Sequence, residues 1–176
     1  MSPQNASLGK VIDPFRFAAE ARTQSGEVEV AKLPRLKDSL ADVNAVLSWR
    51  LEGWLESSML SGREEPRLKL LIDGALSLRC QRCLNGIDWQ LAIATVLQPV
   101  RAGQQIPDEE LEDDEVDAIE VEEGLDVMAL LEEEILLALP LAPRHEKCDS
   151  PLGRNGAGEE SPFAALASLR GSNRAD

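Results

Sequence analysis

Apolar and polar residues alternate along several stretches of the chain, and this period of two predicts β-strands. The three longest stretches are VNAVLSWRLEGWL, which begins at Val43, RLKLLIDGALSLRC, which begins at Arg67, and IDWQLAIATVLQPV, which begins at Ile87. A shorter alternation, EVEVAKL at Glu27–Leu33, stops before Pro34, because proline cannot donate to a sheet ladder. We therefore expect a protein built mainly on a sheet.

The second and third long stretches are joined by the short segment CQRCLNG, so we expect a long antiparallel hairpin with two cysteines at its tip. Gly74 lies within the first of these two strands and indicates a bulge or the close approach of another segment. The predicted core face of the sheet consists of alternate residues: Leu47, Trp49, Leu70, Ile72, Leu76, Leu78, Leu91 and Ile93.

The segment LDVMALLEEEILLALP has the period of a helix. Asp126 is placed to cap its N-terminus, and Pro140 ends it. Its apolar stripe comprises Val127, Leu130, Leu131, Ile135 and Ala138. Glu132 and Glu133 lie opposite this stripe. Glu134 lies at its edge, where it is either partly buried, which requires a hydrogen-bond donor or a proton, or, as we expect, extends outward to water.

Two shorter helices are predicted near the ends of the chain. DPFRFAAEARTQSG has Asp13 as its cap and Pro14 at its first helical position, with Gly26 beyond its end. SPFAALASLR has the same arrangement at Ser161 and Pro162. A helix this short is marginal alone and needs a surface to dock on.

Together these elements predict an α+β fold, with a twisted antiparallel sheet or a partly closed barrel packed against one main helix and short terminal helices. We expect a flexible N-terminus over residues 1–11 and a single α+β domain over residues 12–148. A Gly- and charge-rich linker over residues 149–160 and a short C-terminal helix and tail over residues 161–176 should follow.

The excess negative charge is confined to one segment. Between Ala102 and Pro143 there are 15 Asp and Glu and no Lys or Arg, whereas the remainder of the chain holds 17 acids and 18 bases. Residues 102–123 therefore predict an acidic loop, with a short strand at DAIEV. Such a block is either a solvated surface or one that attracts a basic partner.

Two pairs of residues have the spacing of metal ligands. Cys80 and Cys83 are separated by two residues, so both sulfurs can face one tetrahedral ion. The segment RHEKC offers His145 and Cys148 as a second pair. These four residues are the candidate metal site, and zinc is the cofactor they would hold. The alternative is a tight turn with reduced thiols and a surface histidine.

A redox or regulatory thiol pair is a further alternative, since Arg79 and Arg82 flank the cysteines and would lower a thiol pKa. Thioredoxin-like couples, however, lie where a strand leads into a helix, whereas here a strand leads into a strand. No serine or cysteine nucleophile motif accompanies the single histidine, so we expect no catalytic residues and no enzyme activity.

Composition also bears on location and on nucleic-acid binding. No apolar run approaches the length of a membrane span, and because the first residues lack an apolar stretch we expect no secretory signal. The odd number of cysteines fits a reducing cytoplasm. A net charge of −14 opposes RNA at long range, and aromatic residues make up only 3%. Direct RNA contact through Arg79, Arg82 and the Lys32–Lys37 group is a local alternative.

Three motifs in this order resemble one bacterial family: the Cys-x-Arg-Cys turn, the helix exit EEEILLALPLAPRH and the tail SPFAALASL. The chain resembles the large ribosomal RNA subunit accumulation protein family, the YceD family, from about Ile12 to Leu169. The resemblance implies a cytoplasmic, non-enzymatic bacterial protein that supports synthesis, processing or stability of 23S ribosomal RNA. Cys80, Cys83, His145 and Cys148 match the family's pattern. The Gly-rich LGRNGAGEE departs from it.

The resemblance and the charge pattern lead to one hypothesis about partners. An acidic block suits a basic large-subunit ribosomal protein better than RNA, because it would attract that protein and mask its charge until delivery. No membrane and no small-molecule substrate are expected. The candidate partner-binding residues are Asp108, Glu109, Glu110, Glu112, Asp113, Asp114, Glu115 and Asp117.

Overall fold

The structure is a computed structural model that describes residues 11–58, 62–104 and 116–148. Its elements, in chain order, are β1 Val11–Ile12, α1 Pro14–Ala19, β2 Thr23–Glu29, two 3-10 helices at Val30–Lys32 and Pro34–Ser39, β3 Leu40–Asp42, β4 Val46–Ser57, β5 Glu64–Arg79, β6 Gly86–Arg101, β7 Val116–Val121, β8 Leu125–Asp126 and α2 Val127–Ala138.

The main sheet has the strand order β2-β4-β5-β6-β7, and β3 also pairs with β5. A small second sheet pairs β1 with β8. Together with the two helices this confirms the predicted α+β class. The described strands form an open sheet that ends at β2 and β7, so the open-sheet form of the prediction applies and the barrel form does not.

One pairing departs from the antiparallel prediction, because β7 runs parallel to β6 from Val96↔Val116 to Arg101↔Val121. A parallel pair needs a connection of about a dozen residues or more, and residues 102–115 supply one. The expected short strand at DAIEV is present as β7, and it forms one edge of the main sheet.

The hairpin of β5 and β6 was predicted correctly. Its register runs without interruption from Leu68↔Leu97 to Arg79↔Gly86. The alternate residues of β5 that were assigned to the core are all buried: Leu70, Ile72, Leu76 and Leu78. Gly74 keeps this register at a φ of +157°, and an added Cβ would lie 2.5 Å from Leu47 Cδ2. Gly74 thus marks a close approach and not a bulge.

The segment after α1 differs from the prediction. The Asp13 carboxylate caps α1 as expected, accepting from the backbone N–H of Phe15 at 3.0 Å. The helix ends at Ala19, however, and Gly26 lies inside β2 opposite Trp49. The predicted strand Glu27–Leu33 was wrong beyond Glu29, where the first 3-10 helix begins.

The physical reason lies in the spacing of the buried residues in this segment. Val30, Leu33 and Leu36 are buried at intervals of three, which matches the three residues per turn of a 3-10 helix. Val28 and Val30 also fit the period of a strand, so alternation alone could not decide between the two structures.

Helix α2 follows the predicted cap, since the Asp126 carboxylate accepts from the backbone N–H of Met128 at 2.8 Å. Four stripe residues, Val127, Leu130, Leu131 and Ile135, are buried against the sheet core. Two assignments were wrong, because Ala138 is exposed and Glu132 is buried. Among the described residues, no helix is long and apolar enough to cross a membrane.

Candidate functional site

Cys80 and Cys83 lie in the turn that connects β5 to β6. The backbone N–H of Cys80 donates to the Asn85 carbonyl, and that of Leu84 donates to the Cys80 carbonyl, both at 2.9 Å. Leu84 takes a left-handed φ of +64° to close the turn. Both cysteine side chains are buried, so the turn directs its sulfurs inward.

The chain returns to this turn after α2. The backbone N–H of Gln81 donates to the Pro143 carbonyl at 2.9 Å, which fixes the returning segment beside the hairpin tip. His145 and Cys148 follow within that segment and are half-buried. Two pieces of chain that are more than sixty residues apart in sequence thus meet at one place.

The four predicted metal-site residues converge here. Their ligand atoms, the sulfurs of Cys80, Cys83 and Cys148 and a ring nitrogen of His145, all lie within 4.8 Å of one another. Cys80 Sγ is 3.6 Å from Cys148 Sγ, and Cys83 Sγ is 3.4 Å from His145 Nδ1. Cys148 Sγ is 3.8 Å from the same nitrogen. We call this group the Cys3His cluster.

The imidazole of His145 is oriented by the hairpin. Its Nε2 atom lies 3.1 Å from the carbonyl oxygen of Gly86. A carbonyl oxygen can only accept, so Nε2 carries the proton in this contact. In the neutral ring, Nδ1 then has a free lone pair, and that atom faces the three sulfurs.

The surroundings favour charge on one thiol and oppose it on its neighbour. Burial alone would raise the pKa of Cys80, but backbone N–H groups of Cys83, Arg82 and His145 outweigh it and lower the pKa to about 5. The backbone N–H of Asn85 favours the Cys83 thiolate, yet burial and the adjacent sulfurs of Cys80 and Cys148 raise its pKa overall.

The sulfur atoms also raise the pKa values of the two basic side chains beside them, His145 and Arg82. A hydrogen bond to Cys148, with a second to Cys80, raises the pKa of His145. A hydrogen bond to Cys148 likewise raises the pKa of Arg82. The cluster is therefore a site where negative charge on sulfur lies close to the positive charge of Arg82 and of protonated His145.

Of the predicted partner-binding residues, the structure describes only Asp117, which lies in β7. The other seven lie outside the described residues: Asp108, Glu109, Glu110, Glu112, Asp113, Asp114 and Glu115. In sequence they come directly before β7, which is an edge strand of the sheet.

A groove of about 400 Å³ lies between this edge and α2. Its apolar lining includes Leu97, Ile119, Leu125, Ala129, Leu130 and Leu137. Its carboxylates are Asp117, Asp126, Glu133 and Glu134, and no described Lys or Arg lines it. Leu137 is 75% exposed at this surface. We call this feature the acidic groove.

The sequence did not predict the acidic groove, because two of its walls depend on the parallel β6–β7 pairing. It also misplaced Glu134, which is half-buried and accepts a hydrogen bond from the Thr95 hydroxyl at 2.9 Å. Burial raises the pKa of Glu134; the Thr95 hydroxyl opposes this effect, while Asp117 and Glu133 add to it. The position of Glu134 at the edge of the apolar stripe was the only signal available.

Comparison with known proteins gives two findings. A family model described as large ribosomal RNA subunit accumulation protein YceD matches residues 68–170, more than half of the chain. A Haemophilus influenzae protein, also named large ribosomal RNA subunit accumulation protein YceD, is 28% identical over 182 residues, covering 95% of this chain and 98% of the relative. No solved structure gave a significant match. The family match includes the Cys3His cluster and the acidic groove.

Proposed function

Because the chain belongs to the YceD family of large ribosomal RNA subunit accumulation proteins, we propose that it is a non-enzymatic, cytoplasmic ribosome biogenesis factor. In this role it supports synthesis, processing or stability of 23S ribosomal RNA. We further propose that it does so by holding a basic large-subunit ribosomal protein until that protein is delivered.

The observation that carries the second proposal is the composition of the acidic groove. Its lining combines apolar side chains with four carboxylates, among them Asp117 and Glu133. A segment with apolar side chains on one face and Lys or Arg beside them would complement both features. Ribosomal proteins are rich in such basic segments, since they contact RNA phosphates in the assembled particle.

The acidic block adds long-range attraction to this local fit. Residues 102–143 contain no Lys or Arg, and the acids from Asp108 to Glu115 directly precede the strand that lines the groove. A concentrated negative potential accelerates the encounter with a basic partner and would make capture sensitive to salt. Binding there would also compete with RNA for the same basic residues.

Direct RNA contact is the weaker candidate, because the basic groups that it needs are partly neutralised. Lys32 Nζ lies 3.0 Å from Glu29 Oε1, and the Arg35 guanidinium lies 4.0 Å from the Glu133 carboxylate. A basic surface for phosphate binding would need these cations to face the ligand instead.

The test is affinity purification of the full chain from growing cells, with identification of the bound protein and RNA. We expect a large-subunit ribosomal protein to co-purify and to dissociate as salt is raised. Replacing the acids of residues 108–117 with Ser or Asn should abolish this capture. A second variant, Asp117→Asn with Glu133→Gln, should weaken it through the acidic groove alone.

A matched control removes two exposed acids from the antiparallel part of the sheet, Glu27→Gln with Asp73→Asn, and should leave capture unchanged. Equal capture by all variants would reject the escort role. RNA crosslinks at the hairpin tip, with capture lost after ribonuclease treatment, would favour direct RNA contact. Normal 23S ribosomal RNA levels in cells that lack the protein would reject the biogenesis function itself.

A further inference from the structure

We propose that Cys80, Cys83, His145 and Cys148 bind one structural zinc ion that fastens the segment after α2 to the β5–β6 hairpin. Ligand geometry, the groups around the ligands and the topology of the two segments all support this site. It is independent of which ribosomal component the protein binds, because the Cys3His cluster and the acidic groove share no lining residue.

The distances in the cluster fit a tetrahedral ion. Zn–S bonds of about 2.3 Å and Zn–N bonds of about 2.0 Å place two sulfur ligands about 3.8 Å apart, and a sulfur and a nitrogen about 3.5 Å apart. The corresponding distances here are 3.6 Å between Cys80 and Cys148 and 3.4 Å between Cys83 and His145. Cys148 and His145 are 3.8 Å apart. The ligands need only small shifts to enclose zinc.

The donor set also selects the metal. Three thiolates and one imidazole are soft or borderline ligands, which favour zinc over magnesium, calcium or manganese, whose sites are built from oxygen. Four protein ligands close the tetrahedron and leave no position for a substrate or water. Closed sites of this kind are structural, whereas catalytic zinc sites keep a position open.

Groups around the ligands already have the positions that a bound zinc requires. The Gly86 carbonyl accepts from His145 Nε2 at 3.1 Å, which leaves Nδ1 as the metal-binding atom. The backbone N–H of Arg82 also points to Cys80 Sγ at 3.5 Å. These contacts would offset the net negative charge of a zinc ion bound by three thiolates.

The left-handed conformation of Leu84 supports the same conclusion. A non-glycine residue at a φ of +64° costs roughly 1–2 kcal/mol and persists where the surroundings enforce it. Here that conformation closes the turn so that Cys80 and Cys83 both face inward. The backbone hydrogen bond from Gln81 to Pro143 joins the turn to the returning segment. A metal would supply a much stronger connection between them.

The experiment uses the full chain, purified without a polyhistidine tag, with zinc measured by plasma mass spectrometry. We expect about one zinc per chain. The variants Cys80→Ser and Cys148→Ser should lose it, whereas Glu146→Gln, an exposed neighbour of His145, should retain it. Chelation should lower the melting temperature of the parent chain and of Glu146→Gln, with no comparable effect on the two ligand variants.

Two measurements on the unaltered chain cover the case in which the cysteine variants fail to fold. Cobalt added to metal-free protein should give the absorption of a tetrahedral, thiolate-bound Co²⁺ ion, and zinc should displace it. All three thiols should react slowly with a disulfide reagent before chelation and quickly after it. Three freely reactive thiols in zinc-treated protein, or one reactive thiol because the others form a disulfide, would overturn the proposal.

Discussion

The carboxylate Oε1 of Glu132 accepts a hydrogen bond of 2.6 Å from the backbone N–H of Arg35. This contact spans 97 residues of sequence and joins α2 to the second 3-10 helix. Glu132 is only 7% exposed. A buried carboxylate requires a donor, and here the otherwise unpaired N–H at a helix start provides it.

Glu132→Ala should therefore destabilise the protein by about 1 to 3 kcal/mol, because the Arg35 N–H would lose its acceptor inside the structure. Glu132→Gln keeps an acceptor oxygen and should cost clearly less. Urea unfolding measures both values. Glu122→Ala, which removes an exposed carboxylate outside α2, is the control. Equal stabilities for the Ala and Gln variants would contradict the role of this hydrogen bond.

Leu84→Gly should stabilise the hairpin tip. Glycine adopts a φ of +64° without steric cost, and Leu84 is 59% exposed, so little packing is lost. After the greater entropy of glycine in the unfolded chain is subtracted, we expect a gain of about 0.5 to 1 kcal/mol in the free energy of unfolding. Gln81→Gly, in the same turn but without a positive φ, should lose stability. Loss of stability in both variants would refute this account.

Gly74→Ala should destabilise the sheet by about 2 kcal/mol or more, because the new Cβ would lie 2.5 Å from Leu47 Cδ2. In a double-mutant cycle, Leu47→Ala should relieve part of that cost. Gly103→Ala, at a φ of +75° and with nothing within 4 Å of the new Cβ, measures the cost of a positive φ without a clash. Similar losses at Gly74 and Gly103, measured by chemical unfolding, would show that the clash contributes little.

Glu134→Gln should change how stability depends on pH. Burial raises the pKa of Glu134 in the folded protein, so the folded state binds a proton more tightly than the unfolded state. Protonated Glu134 therefore stabilises the folded state below about pH 4.3, its pKa in the unfolded chain. This stabilisation is lost as the pH rises through the higher pKa that Glu134 has in the folded protein. The glutamine amide of the variant stays neutral at every pH and can still accept a hydrogen bond from the Thr95 hydroxyl.

We expect the Gln variant to be more stable than the parent at neutral pH and to lose that advantage near pH ~4. Unfolding curves at several pH values, compared as differences between variant and parent, measure this effect. Glu122→Gln is the control, since its side chain lies on the exposed surface outside the groove. An advantage for Glu134→Gln that does not vary with pH would contradict the argument.

The sequence alone was sufficient to predict the long hairpin, the buried face of strands β4 to β6 and the residue at which α2 begins. Each of these features depends on local rules: alternation places every second side chain on one face, and Asp126 can cap the N–H groups that follow it. It also indicated the four residues of the Cys3His cluster, because each pair has the spacing of metal ligands, but only the fold brings the two pairs together.

Only the tertiary structure decided the rest. The parallel pairing of β7 with β6, the burial of Glu132 beside Arg35 and the meeting of Gln81 with Pro143 all join residues far apart in sequence. No local period encodes such contacts, since they depend on how complete elements pack and on which backbone groups would otherwise lack partners. The acidic groove follows from the same packing, and so its shape could not be read from the acidic residues that line it.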